Sequence, residues 1–179
     1  MNKNIYKSIK KQLNNFYIND INDIKQCCCF VDENNELVIL ANIKHASFDN
    51  PYRAIPVNTI MALKVEENGS LTFKGTLTYS TNSYLKTVAI DEGKCGEYSQ
   101  EIFTYLETLA KINDIEIIET RSLFKHYVHN VQLENDLKQN NYIQDNKEQL
   151  HYSKTSKDFR KLESLDIKNY DFNNHELEA

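Results

Sequence analysis

Residues 87–142 read TVAIDEGKCGEYSQEIFTYLETLAKINDIEIIETRSLFKHYVHNVQLENDLKQNNY, and their pattern decides the fold. Thr87, Val88, Ala89 and Ile90 form an apolar strand signal. Asp91 to Ser99 follow as a turn containing Gly93 and Gly96. Ile102, Phe103, Leu106, Leu109 and Ala110 then recur at three and four, which predicts an amphipathic helix with one apolar face laid against a sheet. Ile115 to Ile118 read as a short buried strand. Asn130 stands where it would cap a second helix carrying Val131, Leu133 and Leu137, which ends near Asn140 and Asn141, residues that tolerate the left-handed conformation. The unit is strand, turn, helix, strand, helix, and its first turn can offer helix N-terminal amides to a phosphate.

Upstream, Ile24 to Val31 and Leu37 to Ile43 are β-rich runs joined by the polar stretch 32–36, short enough for an antiparallel hairpin. Thr59 to Val65 and Leu71 to Tyr79 flank Glu66 to Ser70, where Asn68 and Gly69 suit a tight turn. Tyr84 to Ile90 is the last strand before the central unit. Both prolines, Pro51 and Pro56, fall within His45 to Pro56, which reads as a loop whose His45, Tyr52 and Arg53 are available to a ligand. At the start, Ile5, Ile9, Leu13 and Tyr17 repeat at four and predict an amphipathic helix over Asn2 to Tyr17. Downstream, a polar turn at Asp145 to Lys147 precedes a weak strand around Leu150 to Ser153. Lys157 to Leu165 suits a short helix, and the remainder reads as a tail of mixed charge. The expected organisation is one domain over 1–153 and a charged C-terminal extension over 154–179.

The 179 residues are 40% hydrophobic and 26% charged, with a formal net charge of -5 and a mean hydropathy of -0.62. That balance suits a globular chain with a very polar surface. It gives no general attraction to nucleic acid, because phosphate binding requires clustered Lys and Arg. With no long apolar run and no apolar leader, the expectation is a cytoplasmic protein without membrane spans. Cys27, Cys28 and Cys29 are consecutive, so they point to alternate faces of a strand and suit neither mutual disulfides nor a chelating cluster. His126 and His129 lack a nearby cysteine pair, so no metal site is expected.

The order of elements from Thr87 to Tyr142 resembles the GNAT acetyltransferase fold. The likeness is clearest at Ile102, Phe103, Leu106, Glu107, Leu109, Ala110 and Lys111 with the strand Ile115 to Ile118, similar to the family's cofactor helix and next strand. A second likeness runs from Asn130 through Leu133 and Leu137 to Asn141 and Tyr142. Together they cover about a third of the chain. The resemblance implies an α+β fold with a mixed, mainly antiparallel twisted sheet flanked by helices on both faces. It also implies acetyl-CoA as cofactor, and transfer of its acetyl group to the amine of a small molecule or protein. By the same resemblance Ala89 and Ile90 orient the reactants, and Lys94, Cys95, Gly96 and Ser99 hold the pyrophosphate with Asn130 alongside. Glu92 is then the base, with Asp91 beside it, and Tyr127 the acid that protonates the leaving thiolate.

Three positions depart from the family's pattern. Glu97 and Ser99 stand where the pyrophosphate turn has glycine, and a carboxylate there opposes phosphate by like charge. Leu137 stands where many members carry the acidic Tyr. No helices are evident between Ile24 and Ile43, where the family shapes its acceptor pocket. The second expectation is therefore a domain of the same fold without catalysis, serving as a protein-binding or regulatory module. Cys95 beside Lys94 also carries the pattern of a thiol activated near a helix N-terminus, alongside that of a packed thiol.

Overall fold

The computed structural model describes residues 24–47, 55–120, 131–145, 151–161 and 168–170. The predicted helix over Asn2 to Tyr17 lies outside them, as do Pro51, Tyr52, Arg53, His126, Tyr127, His129 and Asn130. The chain is α+β, with an open, mostly antiparallel arrangement of strands and two α-helices among the described residues. It divides into two compact units, one of residues 1–74 with 166–179 and the other of residues 75–165.

In the first unit β1 (Ile24–Val31) and β2 (Leu37–Ser47) form the expected hairpin. Its turn is set by Asp32, whose carboxylate accepts the amides of Asn34 and Glu36 at 2.9 Å each, while Asn35 takes φ 61. Strand β3 (Ile55–Val65) runs antiparallel to β2, from Val38 opposite Lys64 to Ser47 opposite Ile55. The predicted loop is thus shorter than His45 to Pro56, because strand pairing continues into both of its ends. Pro56 sits opposite Ala46 at the second position of β3, where a missing N–H is tolerated. On the other side of β1 lies β9 (Lys168–Tyr170), within the stretch expected to be a tail. Val38 to Ile43 are all buried, so β2 is covered on both faces. Cys28 and Cys29 are buried in β1 and form no disulfide.

Strand β4 (Leu71–Asn82) follows a turn in which Gly69 takes φ 80, and the division between the units falls within it, after Lys74. In the second unit the order is β4-β5-β6-β8-β7. Strand β5 spans Thr87–Lys94, later at both ends than the sequence suggests. Tyr84 to Lys86 belong to the turn, held where Asn82 Oδ1 accepts the Leu85 amide at 3.0 Å and Lys86 takes φ 52. At the far end, Glu92 to Lys94 still pair with β4 after a bulge at Asp91.

Helix α1 (Ser99–Ile112) crosses from β5 to the parallel strand β6 (Ile117–Thr120). That strand begins two residues late because the Ile115 amide bonds back to Ala110 O at 2.9 Å and closes the helix. Rather than one apolar face, Ile102 to Glu107 are buried without a break, so the middle of the helix is enclosed all round, while Gln100, Lys111 and Ile112 at its ends are exposed. Helix α2 (Val131–Gln139) ends as expected, with Asn141 at φ 66, and packs Leu133 and Leu137 inward. Strands β7 (Ile143–Gln144) and β8 (Tyr152–Thr155) pair antiparallel, and β8 also pairs with β6. The expected division at 153/154 falls inside β8. In place of the start of a helix, Ser156–Asp158 make a single tight turn and Phe159 is extended, at φ -68 and ψ 132.

Candidate functional site

The sheet register fixes the expected site residues one by one. Thr87 to Ile90 are paired on both sides, with β4 and with β6, so the main chain at Ala89 and Ile90 is engaged in ladders. The described pairing of β6 with β5 ends at Thr120, and β5 continues to Lys94 beside β4. Glu92 and Lys94 are exposed on this extension. Cys95 follows, then a single turn over Gly96–Tyr98 with Gly96 at φ 65, a value glycine takes without strain. Helix α1 starts directly afterwards.

Close approach of backbone holds that turn in place. A Cβ on Gly75 would stand 2.3 Å from the carbonyl oxygen of Cys95 and 2.8 Å from that of Lys94. Only glycine in β4 allows the turn to lie so near. Gly93 has the same function toward α2, since a Cβ there would meet Leu77 at 2.8 Å and Leu133 at 3.3 Å.

Cys95 and Ser99, two of the expected cofactor residues, are brought together, but on a group of the chain itself. The carboxylate of Asp136, in α2, accepts hydrogen bonds from the Cys95 amide, the Cys95 thiol and the Ser99 hydroxyl. Burial nonetheless raises the Asp136 pKa above the ordinary carboxylate range, with the three donors working against that rise. The same carboxylate adds to the burial that pushes the Cys95 thiol far up, and its Sγ also lies 3.7 Å from Thr76 O. This overturns the activated-thiol pattern at Cys95: the group is buried, neutral and next to an acid. Tyr127 and Asn130 lie outside the described residues.

The strongest polar constellation in the unit was not predicted. Glu107, fully buried on α1, accepts Lys154 Nζ at 2.7 Å and the Arg160 amide, Nε and Nη2 at 3.0, 3.1 and 2.7 Å. Tyr142 OH donates to it at 3.4 Å, and burial together with that carboxylate keeps the phenol protonated. Asn140 joins the two clusters: its Oδ1 accepts Arg160 Nη2 at 2.9 Å, and its Nδ2 donates to Ser99 Oγ at 3.0 Å. Lys154 also donates to Asn140 O at 3.1 Å. A continuous polar chain therefore runs from Asp136 through Ser99, Asn140 and Arg160 to Glu107 and Lys154. Nearby, Tyr152 OH donates to Glu134 at 2.5 Å, and burial with that carboxylate pushes its pKa up to about 12.

The signal for Glu107 was present in the sequence, since an acid sits between Leu106 and Leu109 within the apolar repeat. Its partners Lys154 and Arg160 gave none, because they lie in a stretch whose charge density suggested solvent. The metal expectation drew on His126 and His129, which are outside the described residues. Among the described residues no group of three or more His, Cys, Asp or Glu is placed to hold a metal ion, and no helix is long and apolar enough to cross a membrane.

The second unit is thus a strand-helix-strand crossover whose helix start is bound by an internal carboxylate. Compared with protein-family models, curated proteins and solved structures, the chain matches none.

Proposed function

We propose that the chain is an acetyltransferase-like (GNAT-like) scaffold that does not catalyse and acts as a protein-binding or regulatory module. The observation that carries this reading is Asp136. A pyrophosphate at this turn would take its hydrogen bonds from the main chain and hydroxyls that open α1. Here the Cys95 amide and the Ser99 hydroxyl already serve a carboxylate of the same chain. A second acid, Glu97, stands exposed in the turn itself. Glu97 opposes a dianionic ligand by charge, and the Asp136 carboxyl group occupies its place. On this reading the residues present do not fit acetyl-CoA.

Support for the enzymatic reading comes from the sheet. The parallel pairing of β5 with β6 covers four residue pairs, Thr87 with Ile117 to Ile90 with Thr120, and β5 then runs on with a bulge at Asp91. Glu92 is exposed on that extension, where the enzymatic reading places its base.

Titration calorimetry separates the two. The scaffold reading predicts no saturable heat when acetyl-CoA is added to the full chain. Saturable binding accompanied by acetyl transfer to amines would replace it with the enzyme.

A further inference from the structure

The turn that joins β3 to β4 in the first unit holds the chain's single Asn-Gly step, Asn68 and Gly69. Every other asparagine is followed by a residue with a side chain. The main-chain nitrogen after an asparagine can attack the side-chain carbonyl carbon and close a small ring, and a Cβ on the following residue crowds that approach. Asn68 is exposed at the hairpin tip, so water reaches its amide.

The closed turn engages both reacting groups. The Gly69 amide donates to Glu66 O at 2.9 Å, the Glu66 amide donates to Ser70 O at 2.8 Å, and Gly69 takes φ 80. The side-chain oxygen of Asn68 accepts the Ser70 amide at 3.0 Å and the Ser70 hydroxyl at 2.6 Å. The Gly69 nitrogen bonds to Asn68 Cγ only after its N–H has left Glu66, and the carboxamide must also leave Ser70 to turn onto it. These bonds lie at an exposed hairpin tip, where local opening costs least.

We propose that Asn68 is a self-modification site, converted by water to aspartate and isoaspartate at a rate set by opening of the β3-β4 turn. In the open turn hydroxide takes the Gly69 amide proton and the nitrogen bonds to Asn68 Cγ. The Cγ–Nδ2 bond breaks, and Nδ2 leaves as ammonia with a proton from water. Water then adds to either carbonyl of the cyclic imide and reopens it. One water is consumed for each ammonia released, and nothing is oxidised or reduced. An aspartate product keeps the main chain as it is, and its carboxylate accepts the same Ser70 amide and hydroxyl. Isoaspartate lengthens the main chain by a methylene between residues 68 and 69, which breaks the bond from Gly69 to Glu66. Either product sets a third acid beside Glu66 and Glu67. The inference concerns the first unit alone, and its outcome does not depend on whether acetyl-CoA binds.

Incubation of the full chain in mildly alkaline buffer, followed by tryptic peptide mapping with mass spectrometry over time, tests it. In the wild type the peptide of residues 65–74 should gain the mass difference between an amide and an acid and split into two chromatographic isomers, ahead of every other asparagine. A synthetic peptide of the same residues, which lacks the closed turn, should convert at least about tenfold faster. Ser70→Ala in the full chain should convert about fivefold faster than wild type, the factor that one ordinary hydrogen bond is worth. Asn68→Gln, whose longer side chain closes the ring poorly, should leave the peptide unchanged. Asn68 and Ser70 are exposed, so the fold is not at risk, and unchanged circular dichroism verifies it. A full chain that does not convert at Asn68, or that converts there no sooner than at its other asparagines, would overturn the proposal. So would a full chain as fast as the peptide, or a Ser70→Ala chain no faster than wild type, since either removes the turn as the gate.

Discussion

Glu107 and Asp136 are two interior carboxylates of the same unit, linked through Ser99, Asn140 and Arg160, yet they are held by opposite means. Glu107 is fully buried and faces two cations, Lys154 and Arg160. Asp136 is half-buried and faces neutral donors from Cys95 and Ser99. The difference separates structure from adaptability. Around Glu107, removing the carboxylate leaves two cations uncompensated, so the cluster locks α1 to β8 and to the segment at Phe159 and Arg160. Asp136 has no cation among these partners, and burial raises its pKa against their hydrogen bonds at the start of α1.

The largest effect that would break this contrast is at Glu107. Glu107→Ala leaves Lys154 and Arg160 without their anion, and should cost about 3–5 kcal/mol of unfolding free energy by denaturant titration. A loss below 1 kcal/mol, roughly that of an exposed pair, would mean the cluster is solvated. Lys154→Met should cost less, about 1–3 kcal/mol, because the bonds from Arg160 to Glu107 survive and the cluster becomes neutral. If it cost more than the loss of Glu107, the order of importance drawn from the hydrogen bonds would be reversed.

Asp136 sharpens the comparison through pH. Because burial raises its folded pKa above the unfolded value of about 3.9, folding favours its protonated form. That contribution is complete below the unfolded pKa and is lost as pH rises through the raised folded value. Wild type should therefore lose stability relative to Asp136→Asn as pH rises from the unfolded pKa through the raised folded one, measured as paired denaturant titrations. A difference that stays flat, or that moves in favour of the wild type, contradicts the assignment. The smallest effect belongs to the outer face of α2, where Lys138 lies 3.4 Å from Glu134 across one helical turn and is more than half exposed. Lys138→Ala should change stability by no more than about 0.5 kcal/mol.

Most of the strand order was legible in the sequence, because apolar runs and polar turns such as Asp32 to Glu36 follow local rules. The boundaries that moved did so for tertiary reasons. Lys94 extends β5 because β4 continues to pair with it, and Ile115 leaves β6 to close a helix. The site was less legible. Asp136 drew no expectation, since nothing local shows that its helix, forty residues downstream, will set it against Cys95. Lys154 and Arg160 read as surface for the same reason: the group that holds them is Glu107, half a unit away in sequence. A long-range pair leaves no periodic trace in either of its segments.

The Cys95 amide gives the most direct test of the account, because Asp136 is its hydrogen-bond acceptor. Followed by nuclear magnetic resonance in the wild type, its proton shift should trace the titration of a carboxylate, lose that titration in Asp136→Asn, and stay unmoved when acetyl-CoA is added. An amide that ignores Asp136, or that shifts saturably with acetyl-CoA, would show that the start of α1 is open to a ligand and would contradict the filled turn.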